Sequence, residues 1–405
     1  MRTTKVVRAA AGAVAAGILL AGCGDQEADA TGGDVAPSTA GAGSAALDTG
    51  DFPTIPQPPY GTADSAKAAA IESQRLAEFV ILPFEVDPEL TESFGSSRPL
   101  STGKDLESTF SDEAAAIMGE ALVAGYKTSA KTPDGEREFS QMVLRLTDAA
   151  AAASAAERVH TSLITPDADG DNTRMEEKIA ILPNTYVSSR ESTDWRTEQP
   201  VVSVQGFTAH GNYLLFSSAW VPVAEKDATA RTIAQALELQ EPLIDRFPAT
   251  PVEQIEDIKI DQDDVLIYTV PRDGGSLADK EMAVYGARGF AQLANDQVTD
   301  ASRLYTLLND TNTDRIAVYD STVYRSGSPE SAQKLVEGLV AANLDQGWTK
   351  AASPIGLPEA QCTTNGGSNA CWVANGRYVG QSTSGPKEQI DQRISAQYLI
   401  LNNAK

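Results

Sequence analysis

The sequence predicts an α+β fold of two similar domains, each a mainly antiparallel sheet with helices on one face, after a disordered N-terminal tether. Three observations lead to this class. About 345 residues follow the tether, which is more than one hydrophobic core usually supports. A strand, helix, strand, hairpin strand and helix recur in the same order in both halves of the chain. That order favours a layer of helices packed on an antiparallel sheet.

The first 22 residues have the pattern of a signal peptide. Arg2, Lys5 and Arg8 precede an uncharged apolar run at 9–20. That run is short for a permanent membrane span, which needs about 20 apolar residues, so we expect cleavage.

The segment 20–23 ends in Cys23 and resembles the bacterial lipobox, in which the cysteine thiol accepts a diacylglyceryl group. This resemblance implies a lipoprotein with acyl chains such as palmitate on Cys23, held at the extracytoplasmic face of the cell membrane. Several acyl chains on one residue satisfy the rule that stable anchoring takes more than one. An ordinary secretory signal with a chance cysteine is the alternative.

The net charge limits the partners. It is −24 at pH 7, and loss of the signal peptide with its three positive residues lowers it to −27. Nucleic acid is excluded as a partner, because phosphate affinity depends on Lys and Arg. The same charge opposes attraction to anionic lipid, so we expect contact with the membrane through the lipid anchor alone.

Residues 23–60 are predicted to form a flexible tether. Small and polar residues dominate there, and large apolar residues are almost absent before Phe52 and Ile55. Such a composition buries too little surface to offset the cost of ordering. A Gly-rich coil of this length reaches roughly 30 to 35 Å.

The predicted domains are 61–254 and 255–405. A strand at 141–146 precedes an alanine-rich helix at 149–163, and a strand at 321–326 precedes a helix at 329–343. The boundary is placed near residue 255, where prolines and a run of acids interrupt the pattern.

The second part of the repeat is a hairpin and a helix. Apolar runs at 207–214 and 372–379 each contain a central glycine, at Gly211 and Gly376, which is typical of a tight turn between strands. Helices with apolar residues at three-to-four spacing follow at 228–247 and 388–401.

The cysteine count predicts one disulfide. With Cys23 assigned to lipid, Cys362 and Cys371 form an even pair in an oxidising compartment. Asn and Gly between them tolerate the tight reversal of a stapled hairpin. A metal site is the alternative, but the chain has only His160 and His210 as further histidine ligands for zinc, so no metal is predicted.

Four segments together resemble a known family. They are the lipobox, the run at 79–90, the pair Cys362 and Cys371, and the sequence Gly-Arg-Tyr-Val at 376–379. They are similar to an uncharacterised actinobacterial family of cell-envelope lipoproteins from mycobacteria, nocardiae and rhodococci. The likeness spans about residue 64 to the C-terminus. It implies location in the cell envelope and leaves the activity open.

An acidic segment at 167–172 is similar to the start of a calcium loop. An EF-hand loop needs Gly at its sixth place and a bidentate acid at its twelfth, and these places hold Asn172 and Lys178. A solvated acidic turn is therefore favoured over a calcium site.

His210 is the strongest candidate for a general base, with Ser203 or Ser217 as the nucleophile. The chain has no Gly-x-Ser-x-Gly elbow to hold such a serine. The residue aligned with His210 in the second copy is Asn375, which indicates a turn residue. We therefore predict no catalytic residue and no cofactor.

Aromatic side chains offer a different kind of site. Trp195, Trp220, Trp348 and Trp372 are suited to stacking on sugars or lining a lipid pocket, although packing in the core and between domains is the favoured interpretation.

The sequence thus favours a non-enzymatic binding or scaffold protein of the cell envelope. Its ligand would be a small molecule, a glycan, a lipid or a protein in a groove between the two domains, because ligand sites favour domain interfaces. The alternatives are an extracytoplasmic hydrolase acting on a wall or lipid substrate, and a calcium-stabilised adhesion module.

Overall fold

The computed structural model describes residues 47–95, 97–166, 174–272, 282–293 and 300–404. Two antiparallel sheets with flanking helices organise these residues, which confirms the predicted fold class. We call residues 61–254 the first lobe and residues 255–404 the second lobe. Within the described ranges, no helix is long and apolar enough to span a bilayer.

The first sheet has eight strands in the order β1-β3-β4-β8-β7-β6-β5, and β2 also pairs with β3. The pairings between its described strands are antiparallel. Its strands are β1 (Glu92–Ser93), β2 (Arg98–Leu100), β3 (Leu122–Lys131), β4 (Glu138–Leu146), β5 (Met175–Glu177), β6 (Thr185–Thr193), β7 (Pro200–His210) and β8 (Tyr213–Pro222).

The second sheet has seven strands in the order β12-β13-β14-β15-β11-β10-β9, again with antiparallel pairings. Its strands are β9 (Ala283–Tyr285), β10 (Arg315–Val318), β11 (Thr322–Arg325), β12 (Thr349–Ala351), β13 (Gln361–Thr364), β14 (Asn369–Asn375) and β15 (Tyr378–Gly385).

Ten α-helices occur within the described ranges. They are α1 (Ser65–Leu76), α2 (Pro83–Val86), α3 (Gly103–Leu106), α4 (Asp112–Gly119), α5 (Ala149–Ile164), α6 (Lys226–Ile244), α7 (Ala287–Leu293), α8 (Ala301–Asp310), α9 (Pro329–Asp345) and α10 (Lys387–Leu401).

The two lobes repeat one arrangement of strands and helices. Reading across the sheets, β2-β3-β4-β8-β7-β6-β5 corresponds to β9-β10-β11-β15-β14-β13-β12. Helices α3 to α6 follow the same strands in the first lobe as α7 to α10 do in the second. The register agrees as well, since Arg145 lies opposite Tyr213 and Arg325 lies opposite Tyr378. The predicted repeat is therefore confirmed in strand order and register.

Local sequence explains why equivalent elements begin and turn alike. The side chain of Asp148 accepts a hydrogen bond from the Ala151 N–H at the start of α5, and Ser328 caps α9 in the same way. The two hairpins turn at Gly211 and Gly376, whose φ angles are +56° and +54°. Glycine adopts positive φ without the steric cost of a Cβ atom.

Helices cover both faces of each sheet, whereas the sequence predicted helices on one face. In β4, Met142 and Leu144 pack in the core cluster that contains α5. Val143, which points the other way, packs with Ile233 of α6. Successive strand residues are thus buried on opposite faces of the sheet, and helices pack against each face.

The lobes are joined by a continuous core. Leu76 and Val80, at the end of α1 and just beyond it, belong to one buried cluster with Ile233 of the first lobe and Leu335 of the second. The described residues from 47 onward form one compact unit.

Two buried glutamines hold the backbone at this junction. Gln240 of α6 donates from Nε2 to the Phe79 carbonyl at 2.8 Å and accepts from the Ile81 N–H at 3.0 Å. Gln292 of α7 donates from Nε2 to the carbonyls of Ala77 and Val80 at 2.9 and 3.0 Å. The run at 79–90, noted in the sequence, therefore begins at a point held from both lobes.

The N-terminal segment 47–60 lies against the second lobe. Leu47 packs beside the cluster that contains the two cysteines, and the Arg393 guanidinium lies 5.4 Å from the centre of the Phe52 ring. Tyr60 is buried in a cluster of second-lobe residues. Residues 47–60 are thus part of the fold, which differs from the flexible tether predicted there. The few apolar side chains of this segment pack against residues that lie far from it in the sequence.

Candidate functional site

His210 lies at the turn between β7 and β8 and not in a pocket. Its Nε2 atom is 2.7 Å from Asp245 Oδ1, and its Nδ1 atom is 3.8 Å from Glu241 Oε2. The imidazole therefore joins the end of α6 to the hairpin.

The two serines proposed as nucleophiles have other partners. Ser217 is buried, and its hydroxyl donates to Gln141 Oε1 at 2.7 Å. The carbonyl of Ser203 accepts from Arg174 Nη2 at 2.6 Å. Within the described part of the chain, no serine or cysteine hydrogen-bonds to His210, so the structure does not bring this base together with either proposed serine.

The disulfide is present as predicted. Cys362 on β13 lies directly opposite Cys371 on β14, with 4.1 Å between their Cα atoms. Across the described ranges, the one group of potential metal ligands consists of these cysteines and Asp391, and their sulfurs are bonded to each other. The acidic segment at 167–172 and Cys23 lie outside the described residues.

The four tryptophans have different surroundings. Trp195 is 87% exposed, which differs from the packing favoured by the sequence. Trp220 is half-buried, and the Arg196 guanidinium lies 5.7 Å from the centre of its ring. Trp372 is buried, as predicted, and together with half-buried Trp348 it lines a cavity.

This second-lobe cavity has a volume of about 600 Å³ and lies between α8, α9 and one face of the second sheet. Trp372 on β14 and Phe290 on α7 provide aromatic walls, and Leu304 and Leu339 provide aliphatic ones. A cleft with these dimensions and an apolar lining is typical of small-molecule sites.

An unpaired donor lies in the wall of the cavity. Trp372 is 2% exposed, and its Nε1 atom is buried without a hydrogen-bond partner in the described structure. Buried polar groups are nearly always paired, and this N–H is one of several exceptions among the described residues, with almost no accessible surface of its own.

The residue paired with Trp372 is polar. Gln381 lies directly opposite Trp372 across the β14–β15 pair, and the Tyr324 hydroxyl donates to Gln381 Oε1. Burial raises the pKa of Tyr324 above the ordinary tyrosine range, so the hydroxyl keeps the proton that it donates. With Oε1 engaged, the amide nitrogen of Gln381 remains as a donor.

The first lobe has phenylalanines at the two equivalent strand positions. Phe207 and Phe216 occupy the places of Trp372 and Gln381, and they lie opposite each other in the same way. Their ring centres are 5.0 Å apart, and Phe110 packs on Phe216 at 5.0 Å. All three rings are buried, and Phe110 also lines a depression between α4 and α5, the helices that correspond to α8 and α9.

The first lobe has an open depression of about 1160 Å³ beside α4 and α5. Arg174 lines it, and burial lowers the pKa of this arginine to about 10. Its Nε donates to Ser188 Oγ at 2.9 Å. The depression borders residues 167–173, and the second-lobe cavity borders residues 294–299; both segments lie outside the described part of the chain.

The groove predicted between the domains is not one of these two cavities, since each lies within a lobe. Sequence reasoning did single out Trp372 and aligned it with Phe207. It missed Tyr324 and Gln381. The signal that could have found Gln381 is its position opposite Trp372, where the first copy has a phenylalanine.

Comparisons with known proteins give a family and a weak structural likeness. Residues 59–260 match the family model described as domain of unknown function (DUF7373) N-terminal, and residues 265–404 match its C-terminal counterpart. The domain limits predicted at 60 and 254 stay predictions. No curated protein is significantly similar to the chain.

One solved structure with some likeness is the extracellular domain of PknH from Mycobacterium tuberculosis. The identity is 11% and the TM-score is 0.29, with 43% of this chain and 97% of that chain covered. This similarity is too low to show a shared fold.

Proposed function

We propose that this chain, which belongs to the DUF7373 family, is a non-enzymatic binding protein of the cell envelope, held at the extracytoplasmic face of the membrane by lipid on Cys23. Its ligand site is the second-lobe cavity. The observation that carries the proposal is the cavity of about 600 Å³ with aromatic and aliphatic side chains in its lining.

The lining of the cavity supports this site. Phe290, Leu304 and Leu339 contribute apolar surface, and half-buried Trp348 contributes an aromatic ring. Small residues on α9, Gly338 and Ala342 among them, line the cavity as well. A cavity of this volume with apolar walls is typical of small-molecule sites.

The binding proposal is tested with Nile red, a neutral apolar dye whose emission rises in an apolar pocket. Ala342→Trp places a large side chain into the cavity from α9, and we expect it to abolish dye binding to the mature protein. The matched control is Glu337→Trp, which adds the same ring at an exposed position of α9. Equal dye binding by both variants and the wild type would exclude this cavity as the site.

The anchoring proposal has a separate test. Cys23→Ala removes the thiol that would accept the diacylglyceryl group, so we expect protein that is unprocessed or released from the membrane and that carries no labelled palmitate. Membrane-bound mature protein of unchanged mass after this substitution would contradict lipid anchoring.

A further inference from the structure

We infer that Arg98 and Lys127 of the first lobe form a binding site for a phosphate group, which accepts hydrogen bonds from both the guanidinium and the ammonium. This site lies apart from the second-lobe cavity and goes beyond the function proposed for it. The inference follows from the position of the two cations, from their partners and from the equivalent residues of the second lobe.

The two cations are neighbours on the first sheet. Arg98 on β2 lies directly opposite Lys127 on β3. Residues that lie opposite each other in an antiparallel pair share one face of the sheet, with Cβ atoms about 4.5 to 5.5 Å apart, and like charges at such positions are destabilising. Two positive charges are therefore held together in a protein whose net charge is −24.

Both side chains reach the segment that runs from α3 to α4. Arg98 Nη2 donates to the Asp105 carbonyl at 2.7 Å and to the Ser108 hydroxyl. Lys127 Nζ donates to Thr109 Oγ1 at 3.0 Å. Ser108 is exposed, and the side chains of Arg98, Lys127 and Thr109 are half-buried, so this cluster lies at the surface of the first lobe.

No described carboxylate balances the two charges. The partners of Arg98 and Lys127 in the described ranges are the neutral oxygen atoms just named. The carboxylate of Asp105 accepts instead from the N–H groups of Ser101 and Thr102. Burial and then the charge of Arg98 lower the pKa of Lys127, and no described carboxylate raises it. An anion that is not part of the chain would relieve the repulsion between the two cations.

The second lobe shows that the fold does not need a cation at either position. The register that relates β3 to β10 places Val318 at the position of Lys127 and Ala283 at the position of Arg98. Val318 and Ala283 also lie directly opposite each other. The positive pair is therefore a property of the first copy and not of the repeated arrangement.

The charges and donors define the class of ligand. A phosphate group carries close to two negative charges at pH 7 and has several acceptor oxygens, whereas a carboxylate has one charge and two oxygens. Guanidinium and ammonium groups both bind phosphate, the guanidinium often through two parallel hydrogen bonds. A soluble phosphate and a lipid headgroup both supply this chemistry, and the net charge of the protein disfavours the headgroup of an anionic membrane.

The test measures the acetylation of Lys127 in the full mature protein by a limiting amount of N-hydroxysuccinimidyl acetate, followed by mass spectrometry of the peptides. Only the neutral amine reacts, and a bound anion favours the charged form. Inorganic phosphate at twice the dissociation constant found by equilibrium dialysis should slow this acetylation about threefold, because occupied sites do not react. Lys131, on the same strand and 3.7 Å from Glu92, is the internal control and should react at an unchanged rate. Chloride at equal ionic strength controls for screening.

Arg98→Gln removes one cation and keeps a polar side chain. It should weaken phosphate binding about tenfold or more, the range for a hydrogen bond to a charged group. Lys104→Gln is the matched control, since it removes the same charge from an exposed position on α3, and it should leave phosphate binding unchanged. If Arg98→Gln does not fold, Lys127→Gln removes the other donor and should show the same loss by equilibrium dialysis.

Inorganic phosphate is compared with acetate and with vesicles of phosphatidylcholine that contain phosphatidic acid. Lack of protection of Lys127 by either phosphate source, equal protection by chloride, equal protection of Lys131, or an equal loss of binding in Lys104→Gln would overturn the site. Tighter binding of acetate would overturn the ligand class. Protection by inorganic phosphate would support a soluble ligand, and protection by the vesicles alone would assign the phosphate to a lipid headgroup. The second-lobe cavity is untouched by any of these results.

Discussion

Gln240 gives the most direct test of how the lobes are joined. Its side chain is fully buried, and it satisfies both the Phe79 carbonyl and the Ile81 N–H. Gln240→Leu keeps the approximate volume and leaves these two backbone groups unpaired. Each such group costs about 1 to 3 kcal/mol, and the apolar leucine offsets part of the total, so we expect a loss of about 2 to 4 kcal/mol in the free energy of unfolding.

Urea denaturation followed by tryptophan fluorescence measures this loss as a lower midpoint with an unchanged slope. Amide hydrogen exchange adds a local readout, since Ile81 should lose its protection. The control is Glu238→Gln, an exposed change on the same helix that should stay within about 0.5 kcal/mol of the wild type. A midpoint for Gln240→Leu equal to that of the control would refute the role of this side chain.

Three further predictions concern the disulfide, the pH dependence and the N-terminal segment. Replacing Cys362 and Cys371 together by Ala should lower stability by about 2 to 3 kcal/mol, measured by urea denaturation against the oxidised wild type, and equal midpoints would contradict this. Burial lowers the pKa of His160 below 6.5, so the unfolded chain gains its proton first as the pH falls, and stability should drop below that pH. His160→Phe should reduce the difference in melting temperature between about pH 7.5 and 5.5, and an unchanged difference would reject the assignment. Phe52→Ala should make the segment 47–60 sensitive to limited proteolysis, whereas cleavage at the wild-type rate would show that the ring does not hold it.

The repeat was predictable because its signals are local. Alternating apolar residues in β4 and β11 and a glycine at each hairpin turn need no knowledge of the tertiary fold. The second layer of helices was not predicted. An apolar run in a strand is compatible with burial on both faces of the sheet and was interpreted as burial on one. The docking of residues 47–60 was missed because its partners, such as Arg393, lie at the other end of the chain.

The cavity was harder to predict than the residues around it. Trp372 was expected to be buried, and it is. Whether the space beside it is filled depends on how closely α8, α9 and the sheet approach one another. Gly338 permits the close approach of α9 to α8, since an added Cβ atom would lie 2.5 Å from a Leu307 methyl group. The sequence specifies such distances only through packing.

The path of residues 47–60 determines how the molecule would respond to tension. A pull on the chain from its N-terminal side first reaches the second lobe, where Gln392 Nε2 donates to Asp48 Oδ2 at 3.1 Å and the Gln57 N–H donates to the Ile267 carbonyl at 2.8 Å. These contacts must break before force enters α1 and the first lobe. Because forced unfolding is governed by the rate at which the loaded part opens, release of residues 47–60 from the second lobe is the first step under such a load.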